Sequence, residues 1–354
     1  MWKIIYRNLV FAILVMALIM VACSRNGCDR FSGGKGTEGN PYLIGTAKDL
    51  DEVRNFLDKY FLQIADIDLS EYSSDAGWLP IKGFEGTYDG NNYKITNLRI
   101  NRPEEQRVGL FGYIFDGTVT NVSLVDVAII GLNIVGALSG SIYFNSTIEN
   151  CNATGIINST KGHFIGGLIG HSWLSTISDC YADVNIHNAG NNIGGLVGYN
   201  RFGTLVKRSF ATGTILDAIE IAGGLIGLNE ESFIENCYAT GSISGAYIIG
   251  GLVGFSQGEK DAPSGIENSY ATGNVFASES HAGGIIGISY GTTIYNSFWD
   301  KETTGQEISS GSDYILGKTL LQMKTETTFI EWDFDQTWDI KEGETYPFLR
   351  CRNL

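Results

Sequence analysis

The chain is poor in the groups that mark several common functions. Its four histidines, His163, His171, His187 and His281, form no His-Glu-x-x-His pair. The helical zinc-peptidase signature is therefore absent. Lysine and arginine together number 24 against 39 acidic residues. A nucleic-acid surface needs a basic stripe to displace counterions from phosphates, and so acidic a chain argues against one. Gly254-Phe255-Ser256-Gln257-Gly258 and Gly287-Ile288-Ser289-Tyr290-Gly291 match Gly-x-Ser-x-Gly in letters, but as parts of repeated apolar blocks and not of a strand-to-helix turn, so no nucleophile elbow is read. The longest apolar run, Leu9 to Ala22, has 14 residues, short of the ~20 that a membrane-spanning helix needs. Only five prolines accompany 46 glycines. With abundant Ile, Val, Tyr and Phe, that balance suits short strands joined by tight turns. At 43% hydrophobic content the chain is not compositionally disordered.

The apolar run follows Lys3 and Arg7 and ends Met20-Val21-Ala22-Cys23-Ser24. This resembles the lipobox of bacterial lipoproteins, in which cleavage precedes the cysteine and acyl chains are attached to it. Residues 1–22 are thus expected to be a lipoprotein signal peptide, with Cys23 lipidated and the chain held at the cell envelope. By the same resemblance, Ser24 favours the outer membrane in a Gram-negative cell. Removing this segment leaves a net charge of −17. Residues 23–40 have no apolar period and read as a flexible tether.

What is present is repetition. Apolar blocks framed by glycine close at Gly112, Gly140, Gly170, Gly198, Gly227, Gly254 and Gly287, in steps of 27–33 residues. Such a period marks units that bury their apolar face only by stacking on a neighbour. The second half of each unit, as in Ile148-Glu149-Asn150-Cys151-Asn152-Ala153-Thr154-Gly155, breaks strict alternation, so bends are expected near Asn150 and near Thr154-Gly155. A propeller blade needs a longer period of about 40–50 residues. The fold class expected is all-β: a right-handed parallel β-helix (β-solenoid) of about seven 28-residue coils. Residues 41–93 form its N-terminal cap and first coils, 94–300 the repeats, and 301–354 an aromatic C-terminal cap. In the first cap, Thr46 and Asp49 form a capping pair for a helix. In the last, a helical stretch is expected over 316–323, ahead of a plug for the end of the solenoid.

Stacked units put equivalent residues in ladders. Val122, Cys151, Cys180, Ser209, Cys237, Ser269 and Ser297 form one, and Ala153, Ala182, Ala211, Ala239, Ala271 and Trp299 another. Both are small enough to face inward. A Cys151–Cys180 bridge is left open, although stacked side chains point parallel rather than toward each other. Between these ladders run Tyr181, Phe210, Tyr238, Tyr270 and Phe298. Charges at equal parity, Arg208, Asp183 and Asp300, argue that this ladder faces out; if the flanking Asn and Thr instead form buried ladders, the aromatics are core. Outward rings either stack against a ligand or pack beneath a loop of the chain itself. His163 and His171 read as surface or turn residues, and Asp179, Asp183 and Asp217 as scattered surface acids.

Gly-Gly-Leu-Val-Gly with Asn-Cys-Tyr-Ala-Thr-Gly at this spacing resembles the GLUG repeat of bacterial surface proteins, large adhesins and the non-catalytic region of IgA-specific metallopeptidases. The resemblance covers roughly residues 40–350. It implies a surface β-helix and no catalytic activity. The expected function is therefore a lipid-anchored, non-enzymatic interaction or adhesion protein. Its membrane contact runs through Cys23, its partner is a glycan or cell-surface protein, and no metal or cofactor is expected. The alternatives are an extracellular polysaccharide lyase or hydrolase with an outer groove, and a plain structural spacer.

Overall fold

The computed structural model describes residues 30–159, 162–187, 190–277, 281–311 and 316–350. Cys23, the expected lipidation site, lies outside the described residues, as do Cys28 and Cys351. Each repeat pairs in parallel with the next, Ile148 with Ile177, Ile177 with Val206 and Val206 with Ile234. The result is the parallel β-solenoid that the repeat length implies. One face is ten strands deep, from Tyr42–Ile44 to Thr292–Tyr295, and a second is eight deep, from Ile81–Phe84 to Ile286–Tyr290. The third carries the alanine and aromatic ladders. A continuous apolar core fills the tube, including the fully buried Leu168, Leu196, Leu225, Leu252 and Ile285 of the glycine blocks.

The bends fall where the broken alternation places them. Asn121, Asn150, Asp179, Arg208, Asn236, Asn268 and Asn296 all adopt φ between 44° and 56°, and Gly155 has φ 137°. Asparagine tolerates the left-handed region because its short amide bonds locally, which explains its recurrence at this corner. The Cys/Ser ladder lies just inside. Cys180 N–H donates to Ser209 Oγ at 3.1 Å, Cys237 N–H to Ser269 Oγ at 3.1 Å and Cys151 N–H to Cys180 Sγ at 3.4 Å. Each hydroxyl or thiol in turn donates to the carbonyl two residues back, as Ser209 does to Lys207 O at 2.8 Å. A small side chain that both accepts and donates is what this buried corner needs. Cys151, Cys180 and Cys237 are free thiols, so the bridge left open between the first two is not formed.

Close stacking explains the paired glycines. A Cβ on Gly195 would lie 2.1 Å from Gly224 O and 2.8 Å from the Ala211 Cβ, inside any allowed contact. The second face hides a feature that alternation did not reveal, a buried inward ladder of Ser172, Asn200, Asn229 and Ser256. Its amides bond coil to coil, Asn200 Nδ2 to Asn229 Oδ1 at 3.0 Å and Asn229 Nδ2 to Ser256 Oγ at 3.3 Å.

Both ends correct the expectations. The helix α1 (Ala47–Glu52) opens with the expected capping box between Thr46 and Asp49. The tether, however, does not extend to residue 40. Phe31 is buried in the core, stacked on Tyr42 at 4.2 Å, and Ser32 Oγ donates to Asp49 at 2.6 Å. One buried ring, with the Ser32 hydroxyl and backbone bonds to Leu43, docks a segment that lacks any apolar period. At the other end, residues 316–318 are a strand paired on Phe298–Asp300 instead of the start of a helix, with a 3-10 turn at 322–324. Trp299 takes the rung after Ala271, and its ring covers Gly284, filling the space where another coil would stack. The backbone of Ile308 and Ser310 then bonds the open edge at Gly284 and Ile286. The aromatic tail beyond residue 319 is not a plug on the end of the tube. It folds back along the side, onto the aromatic ladder.

Candidate ligand-binding groove

The ladder is external to the tube, since its neighbours Ala182, Ala211 and Ala239 fill the core. Its rings stack nearly parallel: Tyr181 on Phe210 at 5.0 Å, Phe210 on Tyr238 at 4.6 Å and Tyr238 on Tyr270 at 5.1 Å. The ligand-stacking expectation needs correction for most of it. Phe210, Tyr270 and Phe298 are buried beneath Met323, Phe329, Trp332, Trp338 and Leu349 of the chain's own tail. Tyr181 and Tyr238 are half-buried. The cause is hydrophobic. A row of large rings outside the core is covered by whatever apolar segment can reach it, and here the aromatic tail does.

Polar groups fix the register of that cover. The Trp338 indole N–H donates to Asn236 Oδ1 at 3.1 Å and the Trp332 indole to Asn296 O at 2.9 Å, so the corner asparagines serve as anchors. Tyr270 donates its hydroxyl to Pro347 O at 2.7 Å, and burial pushes its phenol well above the usual range. Tyr346 donates to Asp300 Oδ2 at 2.8 Å; burial first, and then this carboxylate, raise its pKa. Asp300, read as an outward charge, is fully buried, where it also caps the short helix α2 (Lys301–Thr304).

Toward the N-terminus the tail stops covering the ladder, and a groove of about 720 Å³ opens. Its floor is Asn121, Asn150, Asn152 and Tyr181, and Gln336, Thr337, Leu349 and Arg350 of the tail form one wall. Glu149, Asp179 and Arg208 line it as well. Arg208 grips Asp179 bidentately, at 2.8 and 2.6 Å, and this bond to Asp179 raises the guanidinium pKa. Asp179 was thus read as a scattered acid but sits at the site, whereas Asp183 and Asp217 are exposed and lie outside it. Glu149 and Asn150 were missed. Their signal was present in the repeated Glu-Asn before the Cys/Ser ladder, but corner residues of that type also have a purely structural reason to recur. Among the described residues, no cluster of His, Cys, Asp or Glu could hold a metal ion.

A second outward surface lies on the eight-stranded face. In successive rungs, Phe115, Tyr143, Trp173 and Arg201 occupy equivalent positions. The Arg201 guanidinium lies 3.9 Å over Phe202 and 5.2 Å over Trp173. Phe115, Phe144 and Leu174 are exposed beside them. His171 belongs to this surface but is not the surface residue that its flanking position suggested. It is buried against Tyr143, Phe164 and Tyr199.

Fold and repeat together define a solenoid built from glycine-framed units. The family model described as "The GLUG motif" matches residues 220–244 and 245–275. The solenoid therefore carries GLUG repeats, as its blocks resemble. The chain is 35% identical, over 90% of its length, to the "Putative Gly-rich membrane protein" of Evansella cellulosilytica, and 32% identical, again over 90%, to "Halomucin" of Haloquadratum walsbyi. A match to "Immunoglobulin A1 protease" of Streptococcus sanguinis covers 48% of the chain at 36% identity. The chain spans 45% of the first relative, 3% of the second and 9% of the third. Among solved structures, a "putative immunoglobulin A1 protease" from Bacteroides ovatus superposes with a TM-score of 0.58. That alignment covers 92% of this chain and 96% of the other at 22% identity, and it establishes a shared fold.

Proposed function

We propose that this chain is a lipid-anchored, non-catalytic surface protein of the cell envelope whose solenoid presents binding surfaces for adhesion. The anchor reading rests on Met20-Val21-Ala22-Cys23. Alignment over 90% of the chain with a relative named as a membrane protein supports an envelope location. The observation that carries the interaction reading is the outer face around Arg201. Exposed Phe115, Phe144 and Leu174 with half-buried Trp173 and an arginine among the rings is the composition of contact surfaces, not of an inert rod. The experiment is attachment of cells displaying the full chain to a surface bearing the partner macromolecule, with Phe144→Ala and Trp173→Ala as the variant. Attachment should fall about tenfold or more, as expected for two such anchors. Attachment by the unaltered chain equal to that of cells without the protein, or undiminished attachment by the variant, would refute the adhesive role. Cys23→Ser should move the protein from the membrane fraction to the soluble one.

The enzymatic reading is favoured by one observation, the presence of Glu149, Asp179 and Arg208 in a single groove. A pair of carboxylates in glycoside hydrolysis divides acid and base roles. Here both oxygens of Asp179 accept from Arg208, leaving Glu149 without a second carboxylate poised for proton transfer. Release of reducing ends from a polysaccharide by the full chain, lost in Glu149→Gln, would establish the enzyme instead.

A further inference from the structure

The tail shows what the ladder accepts. Over coils 236–296 it seats flat rings against the Tyr/Phe stack and aims their edge donors at the corner, as Trp338 does at Asn236. The corner line continues N-terminally as Arg208, Asp179, Asn150 and Asn121, and the ladder continues to Tyr181. Beyond Tyr181 the next rung is Asn152, a much smaller side chain, so the stack ends where the groove widens. We propose that this groove binds a neutral oligosaccharide, with a sugar ring lying over Asn152 against Tyr181; the proposal rests on the interaction reading above and gives it a ligand class.

The chemistry of the lining selects that class. Asn150 donates to Asn121 at 2.7 Å, and Asn152 accepts from Ser123 at 2.9 Å. That leaves the Asn150 carbonyl oxygen and the Asn152 amide N–H groups, with the Glu149 carboxylate, available among the described residues. Mixed donors and acceptors on a rigid floor match hydroxyl groups, each of which both donates and accepts. A phenol ring supplies the apolar platform for the less polar face of a pyranose. Charge argues against an acidic glycan. Arg208 is paired with Asp179 and Arg350 with Asp339 at 3.2 Å, so neither arginine of the lining is an uncommitted cation, and Glu149 adds a carboxylate unpaired among the described residues, in a chain of net charge −15. An anion there would meet the Glu149 carboxylate and compete with Asp179 and Asp339 for arginines already paired.

The test uses the full chain in a detergent without a sugar headgroup, titrated calorimetrically with neutral oligosaccharides and with sulfated and uronate-containing ones. Saturable binding of a neutral member is expected. Tyr181→Ala should weaken it about tenfold and Tyr181→Phe by less than about twofold, because the ring face and not the hydroxyl is the platform. Should Tyr181→Ala fail to fold, Asn152→Ala and Glu149→Gln take its place, each expected to weaken binding several-fold in a chain that still unfolds cooperatively. No binding across the neutral set, preference for the anionic set, or affinity indifferent to these variants would overturn the proposal. Absence of sugar binding by the unaltered chain with its cell attachment intact would overturn this site only. Undiminished attachment by the Phe144 and Trp173 variant with sugar binding intact would overturn the adhesive face instead.

Discussion

Trp338 is the residue whose removal should free the tail from the ladder. It is fully buried, 6.1 Å from the rings of both Tyr238 and Tyr270 and 4.5 Å from that of Trp332, with its indole bonded to Asn236. Truncating a buried tryptophan to alanine costs about 3–5 kcal/mol through lost burial and the cavity left behind. Little within the tail can absorb that loss. Its own regular structure is a two-residue antiparallel pair, Trp338–Asp339 with Phe348–Leu349, and two 3-10 turns. A ribbon of that size is unstable alone in water. The tube, in contrast, has a separate core to which Trp338 does not belong. Trp338→Ala should therefore detach residues 319–350 while the coils stay folded. Hydrogen exchange read by mass spectrometry separates the two. Amides of 319–350 should exchange about a hundredfold faster or more, from a local loss of ~3 kcal/mol, and those of 205–257 should be unchanged. Unchanged exchange in the tail would refute the latch reasoning. Equal deprotection of tail and coils would refute the separation of the two cores.

Two further perturbations probe the tube. Gly195→Ala forces a Cβ to 2.1 Å from Gly224 O, so adjacent coils must part. It should destabilise by about 1–3 kcal/mol in thermal or urea unfolding, whereas Gly39→Ala, with no atom within 4 Å of the added Cβ, should be near neutral. Burial, followed by the charges of Arg201 and Arg107, lowers His171 to about 4 from 6.5. The unfolded chain then binds a proton that the folded one rejects between those values. Stability present above pH 6.5 should fall by ~1.4 kcal/mol per unit as the pH drops toward 4, about 3 kcal/mol in all. His171→Phe should flatten that limb of the unfolding profile; parallel profiles for the two proteins would contradict the assignment.

The tube was legible because its causes are local and repeated. A unit of 27–33 residues cannot bury its apolar face alone, so stacking followed from the glycine spacing, and the corners from asparagine at the breaks in alternation. Thr46 with Asp49 likewise announced its helix, since a capping box is satisfied within one turn. Features that depend on distant segments were not legible. Phe31 docks on Tyr42 and Phe61 with no pattern around it, and Ser172 to Ser256 form a polar ladder only because the coils align them.

The aromatic ladder divides the two kinds of information most clearly. Sequence alone determined its existence and its alignment with the corner asparagines, because a strand's alternation and a fixed repeat length dictate them, whereas the side it faces was settled only by the alanines that fill the core beside it. Tertiary structure alone decided its fate. Whether exposed rings meet a ligand or the chain itself depends on where a non-repeating segment folds, and that is a competition among contacts with no periodicity to betray it. Here the tail covers Phe210, Tyr270 and Phe298 and ends its cover near Tyr181. That fold-back confines the open groove to the coils of Asn121, Asn150 and Asp179.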